Sequence, residues 1–155
     1  MVDTIQSRLD ELGYRLPEAA TPVFEYVPVV VHGGVAYVSG QLPKVDGEVR
    51  VHGKVGVEIT LEQAQAAARI SLLQGLACLQ QALGGFDRVV RILKVTGFVA
   101  SAPSFIDQPK VLDVASKMLV EIFGERGRHA RTAVGVAALP RNSPVEIELT
   151  VAVSE

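Results

Sequence analysis

The chain has 155 residues, 48% of them hydrophobic and only 5% aromatic, with a formal net charge of −2 and a pI near 5.9. That length holds one domain with an aliphatic core, and that charge argues against a nucleic-acid or anionic-membrane surface. A single cysteine, Cys78, excludes an intramolecular disulfide, and no apolar run reaches the length of a membrane span, so a cytoplasmic protein is expected.

Asp3 or Thr4 can cap a short helix with Ile5, Leu9 and Leu12 on one face and Gly13 as its stop. A Pro-containing linker, Leu16 to Pro22, follows, and residues 1–20 read as an extension of the single domain 1–155. Tyr26–Val31 and Val35–Ser39 are β-rich runs around His32-Gly33-Gly34, a hairpin signal. Ser39, Gly40 and Gln41 lead into a turn bounded by Pro43. Asp46-Gly47 marks a further tight turn before a short strand near Val49–Val51.

Thr60-Leu61-Glu62-Gln63 is a capping box that opens the longest helix, which ends at Gly84-Gly85. Gly75 inside that helix costs about 1 kcal/mol relative to alanine, so close packing against a strand is expected there. Val89–Val99 reads as a central strand. A second helix has Pro109 near its start and Gly124 at its end, with Val111, Ala115, Met118 and Ile122 on one face.

Two strands around a Pro-bounded turn close the chain. In the second, Val145, Ile147, Leu149, Val151 and Val153 alternate with Glu146, Glu148, Thr150 and Ala152. The first alternates Arg131, Ala133, Gly135 and Ala137 with Thr132, Val134 and Val136. For a hairpin with an even turn, Arg131 would share its face with Glu146 and Glu148. Arg131 then reads either as a structural ion-pair partner or as a bidentate clamp for a small carboxylate. Two helices that both follow strands cover one face of a sheet, which gives an α+β two-layer domain with a mixed sheet. The other face stays bare unless a partner covers it, and the positive mean hydropathy of +0.30 also favours an oligomer.

The remaining chemistry is sparse. His32, His52 and His129 lie in separate loops without ligand spacing, so no metal is expected. Cys78 reads as a buried structural thiol, and Ser39 as a turn hydroxyl or ligand contact, because no nucleophile elbow surrounds it.

Tyr26-Val27, Tyr37-Val38-Ser39-Gly40-Gln41-Leu42-Pro43, Ala130-Arg131-Thr132-Ala133-Val134, and Leu139-Pro140 followed by Val145-Glu146-Ile147-Glu148 together resemble the RidA/YjgF family of reactive-intermediate deaminases. The likeness runs from about Thr21 to the end. It implies a chorismate-mutase-like fold and a homotrimer with clefts between subunits. It also implies cofactor-independent hydrolysis of enamines and imines of amino acids to 2-oxo acids and ammonia. Arg131 matches the family's carboxylate-binding arginine and Glu146 the glutamate beside the attacking water. Tyr26, Ser39, Gly40 and Gln41 match positions lining the pocket, and Ser116 and Ala133 join them by offset. Ala133 stands where many members have cysteine, Ser116 where many have asparagine, and His129 where proline is common. These departures suggest a divergent subfamily. A non-catalytic trimeric binder of small carboxylates is the alternative, and an endoribonuclease or translation inhibitor a weaker one.

Overall fold

The structure is a computed structural model that describes residues 4–21 and 23–155; Asp3 and Pro22 lie outside the described residues. Helix α1 (Thr4–Leu12) buries Ile5 and Leu9 and ends at Gly13, whose φ of +75° suits glycine alone at low cost. Residues 14–21 follow without regular structure. Strands β1 (Val29–His32) and β2 (Val35–Gln41) form the expected hairpin, with Gly33 and Gly34 both at positive φ in its turn. The first strand begins three residues later than its β-rich run. Asp46 and Gly47, again both at positive φ, turn β3 (Lys44–Val45) into β4 (Glu48–Val49), a separate two-stranded ladder. The expected short strand is therefore one half of a small hairpin.

Helix α2 (Leu61–Leu83) starts with the capping box in place: Gln63 N–H donates to Thr60 Oγ1, and Thr60 N–H donates to Gln63 Oε1. Gly84 closes it in the left-handed conformation. Strand β5 (Val89–Ala100) feeds α3 (Gln108–Phe123), whose Pro109 stands in its first turn. Strands β6 (Ala130–Val136) and β7 (Val145–Val153) complete the chain.

The main sheet runs β1-β2-β7-β5-β6, with β5 and β6 parallel and every other pair antiparallel. Leu72 and Leu76 of α2 and Val111 and Leu119 of α3 are fully buried together with Val95, Val99 and Val151 of the sheet. Gly75 faces β7: a Cβ there would lie 3.3 Å from Leu149 Cδ1, the close approach its place in the helix implied. The opposite sheet face carries Tyr37, Val30 and Leu93, 53%, 50% and 38% exposed. This is the α+β two-layer domain with a mixed sheet and its helices on one face.

The last two strands, however, do not pair with each other. β5 lies between them: α3 connects β5 to β6 as a crossover that returns the chain parallel to β5 on one side, and β7 pairs antiparallel with β5 on the other. Arg131 aligns with Val95, and Val95 with Leu149. Arg131 therefore shares the helix-covered face with the odd-numbered residues of β7. Glu146 and Glu148 align with Phe98 and Thr96 on the open face. The parity argument fails because its premise, a direct hairpin, fails.

Candidate functional site

The residues singled out by sequence fall into two groups. In the first, Arg131 sits on the edge strand β6, with its side chain 23% exposed. Nη1 donates to Asp113 Oδ1 at 2.9 Å and to Ser116 Oγ at 3.1 Å, both on α3 one turn apart. Nη2 and Nε have no hydrogen-bond partner among the described residues. His129 extends the network: Nδ1 donates to the Gly127 carbonyl at 2.6 Å, and Nε2 lies 2.9 Å from Ser116 Oγ, from which it accepts when it carries no proton. Donation then runs one way, from Arg131 through Ser116 and His129 to Gly127, and each bond polarises the next. Ala133 is half-buried on the same face of β6, aligned with Gly97.

The ion pair of Arg131 is thus with Asp113, which sequence reasoning missed. The signal was present in the three-residue spacing of Asp113 and Ser116 on a helix that packs against β6. Asp113 is 63% exposed, so the pair itself contributes at most about 1 kcal/mol.

The second group gathers at the end of β2 and the start of β7, with Glu146 on the open face and Gln41 buried toward α2. Tyr26, Gly40, Gln41 and Glu146 line one pocket of about 300 Å³, shared with Lys44 and Arg141. Ser39 adjoins it, accepting from Gln41 Nε2 through its carbonyl at 3.1 Å and its hydroxyl at 3.4 Å. A Cβ on Gly40 would collide with the Glu146 carboxyl group, so glycine is what lets that carboxylate lie across β2. Burial, and then the nearby Glu148 carboxylate, push the Glu146 pKa above the ordinary glutamate range. No cation lies within ion-pair distance of it among the described residues. A carboxylate so placed takes up and returns a proton more readily near neutral pH than a solvated one.

One wall of this pocket is conformationally costly. Arg141 has φ 59° and ψ 22°, and Asn142 follows at φ 54°. Asparagine tolerates this region, but for arginine it costs about 1–2 kcal/mol.

Cys78 is buried, and desolvation raises its thiol pKa, as a structural cysteine requires. Among the described residues, no three His, Cys, Asp or Glu side chains are grouped to hold a metal ion, and no helix is long and apolar enough to cross a membrane.

Within one chain the two groups stay apart. Arg131 and Glu146 stand on opposite faces of the sheet and on strands separated by β5, a lateral offset of roughly 10 Å.

Comparison with known proteins gives a consistent family. Residues 6–152 match the family model described as "YjgF/chorismate_mutase-like, putative endoribonuclease". Protein TCP17 of Trypanosoma cruzi is 45% identical over 148 residues, 95% of this chain and 92% of that protein. The 2-iminobutanoate/2-iminopropanoate deaminase of Dermatophagoides farinae is 31% identical, over 88% of this chain and 92% of that protein. The crystal structure of Atu1372 from Agrobacterium tumefaciens, a protein of unknown function, superposes with a TM-score of 0.90 at 44% identity, covering 98% of this chain and 94% of the other.

Proposed function

The chain belongs to the YjgF/chorismate-mutase-like family, and from that premise we propose that it hydrolyses imines and enamines of amino acids to 2-oxo acids and ammonia in clefts between subunits of a homotrimer. The observation that carries this reading is the division of the site. Arg131 keeps its Nη2 and Nε donors available on an edge strand, while Glu146 lines a pocket elsewhere without an ion-pair partner among the described residues. A second copy that brings its Arg131 to the mouth of this pocket supplies the missing half.

In such a cleft the Arg131 guanidinium holds the substrate carboxylate by a bidentate pair. The imine carbon is already electrophilic, so catalysis consists largely of placing a water against it. Glu146 accepts a proton as the water oxygen bonds to the carbon of the protonated imine, giving a neutral carbinolamine. It returns that proton to nitrogen, and as the C–N bond breaks and the C=O bond forms the hydroxyl proton passes to the departing ammonia, which leaves as ammonium. Asp113, Ser116 and His129 fix the arginine. Tyr26, Ser39 and Gln41 border the substrate, and no cofactor is needed for any of these steps.

Ala133 favours one competing reading, a trimeric carboxylate binder that has kept its arginine and lost turnover. Generating 2-iminopropanoate in situ with an amino-acid oxidase and following its disappearance decides between them. Acceleration over buffer that Arg131→Ala removes supports hydrolysis, whereas tight binding of a 2-oxo acid with no acceleration supports the binder. RNA cleavage, which the family description mentions, sits poorly with a net charge of −2.

A further inference from the structure

Arg141 and Lys44 have no part in the chemistry above, yet both line the 300 Å³ pocket together with Glu146. Both also line a larger adjoining hollow of about 850 Å³, so they stand on the boundary between the two spaces. Neither side chain has an ion-pair partner among the described residues.

The backbone gives this boundary its significance. Arg141 and Asn142 are both in the left-handed region, and hydrogen bonds from another segment pin them there. His52 Nδ1 donates to the Arg141 carbonyl at 2.8 Å, and the Gly53 N–H donates to the Asn142 carbonyl at 2.9 Å. A conformation unfavourable for arginine, secured from outside, is the pattern found where a side chain must be presented in one direction. The direction here is a pocket that already holds a carboxyl group and a second cation.

Charge limits what can occupy the boundary. Glu18 and Glu48 line the larger hollow and repel an anion approaching from that side, while Asp46 there is paired with Arg50 at 2.8 Å. The smaller pocket has Glu146 as its acid and the two cations against it. Its volume stands at the lower end of pockets that bury drug-sized ligands, more space than a three-carbon imine fills.

The geometry points to a second anion subsite, made by Arg141 and Lys44, that takes the distal carboxylate of an imine derived from a dicarboxylic amino acid. The inference rests on the imine-hydrolase reading for its substrate class. The first carboxylate lies on Arg131 of a neighbouring copy, the imine carbon beside Glu146, and the side-chain carboxylate at the Arg141–Lys44 pair.

Calorimetric titration of the full chain with 2-oxoglutarate and with 2-oxobutanoate tests it without requiring turnover. Wild type should bind 2-oxoglutarate about tenfold tighter or more, the scale of one charge-assisted hydrogen bond. The double variant Arg141→Asn, Lys44→Gln should bring the ratio close to one. Asparagine keeps the left-handed backbone, and Lys44→Gln alone should already lower the ratio. Equal affinities in wild type, or an unchanged ratio in the double or the single variant, overturn the subsite. The two readings fail separately. If no imine is hydrolysed above buffer while the 2-oxoglutarate preference and its loss persist, the hydrolase reading falls and the subsite stands. If 2-iminobutanoate is hydrolysed but 2-iminoglutarate is not preferred, the subsite falls and the hydrolase stands.

Discussion

Two inactive variants, Arg131→Ala and Glu146→Gln, should restore activity when their subunits are mixed. In one chain these side chains are on opposite sheet faces, across β5, roughly 10 Å apart laterally. Neither rotamer changes nor loop motion brings them together, because both backbones belong to the sheet. If each cleft takes Arg131 from one subunit and Glu146 from the next, every site in either pure variant lacks one group. Loss of the charged hydrogen bonds to the substrate carboxylate lowers kcat/KM on the order of 100-fold for Arg131→Ala. Mixing equal amounts and exchanging subunits under mild denaturant gives four ordered pairings at each head-to-tail interface. One of the four joins an intact Arg131 to an intact Glu146, so about one quarter of wild-type activity should return. The assay is hydrolysis of 2-iminopropanoate generated in situ, with subunit exchange followed by mass spectrometry of differently tagged chains. Exchange without recovery would refute the shared cleft and place the catalytic groups within single chains.

Three other substitutions test the local geometry. Gly40→Ala puts a Cβ against the Glu146 carboxyl, the mobile end of its side chain, so the melting temperature should change little while kcat/KM falls about tenfold or more; an active Gly40→Ala protein would remove Glu146 from the chemistry. In Gly127→Ala the Cβ instead meets the Leu119 carbonyl in the backbone of α3, which cannot yield, and a loss of about 3 kcal/mol or more in urea unfolding is expected. Glu146→Gln should raise stability at neutral pH. A carboxyl whose folded pKa is raised binds more protons folded than unfolded, so its contribution falls as pH rises from the unfolded toward the folded pKa. The glutamine gain should therefore be present above that window and vanish below about pH 4, as thermal melts at both pH values can check. A gain that persists in acid would mean that the carboxylate is not the cause.

Much of the fold was legible because it depends on local chemistry. The capping box at Thr60, the stops at Gly13, Gly84 and Gly124, and the two turns at Gly33-Gly34 and Asp46-Gly47 all stand where glycine, threonine and asparagine-like turn chemistry put them. The alternation in β7 correctly separated Val145, Ile147 and Leu149, all buried, from Glu146 and Glu148. Even Gly75 announced its contact with Leu149, since a helix tolerates glycine there for close approach.

What alternation leaves undetermined is which strand lies next to which. Periodicity of two assigns residues to faces within a strand, but the faces of two strands are related only through the pairing that joins them. The β5-α3-β6 crossover makes those two strands parallel, but only the sheet order puts β5 between β6 and β7. From that one fact follow the partner of Arg131, Asp113 rather than a glutamate, and the separation of Arg131 from Glu146. The same holds for Arg141 and Lys44: 97 residues apart by their numbers, they line one pocket only after the sheet and its loops have closed around it. Sequence by itself determined the elements, their faces and the residue types available for chemistry. Tertiary structure decided which of them meet, because that depends on long-range strand order, and no local pattern in the chain encodes it.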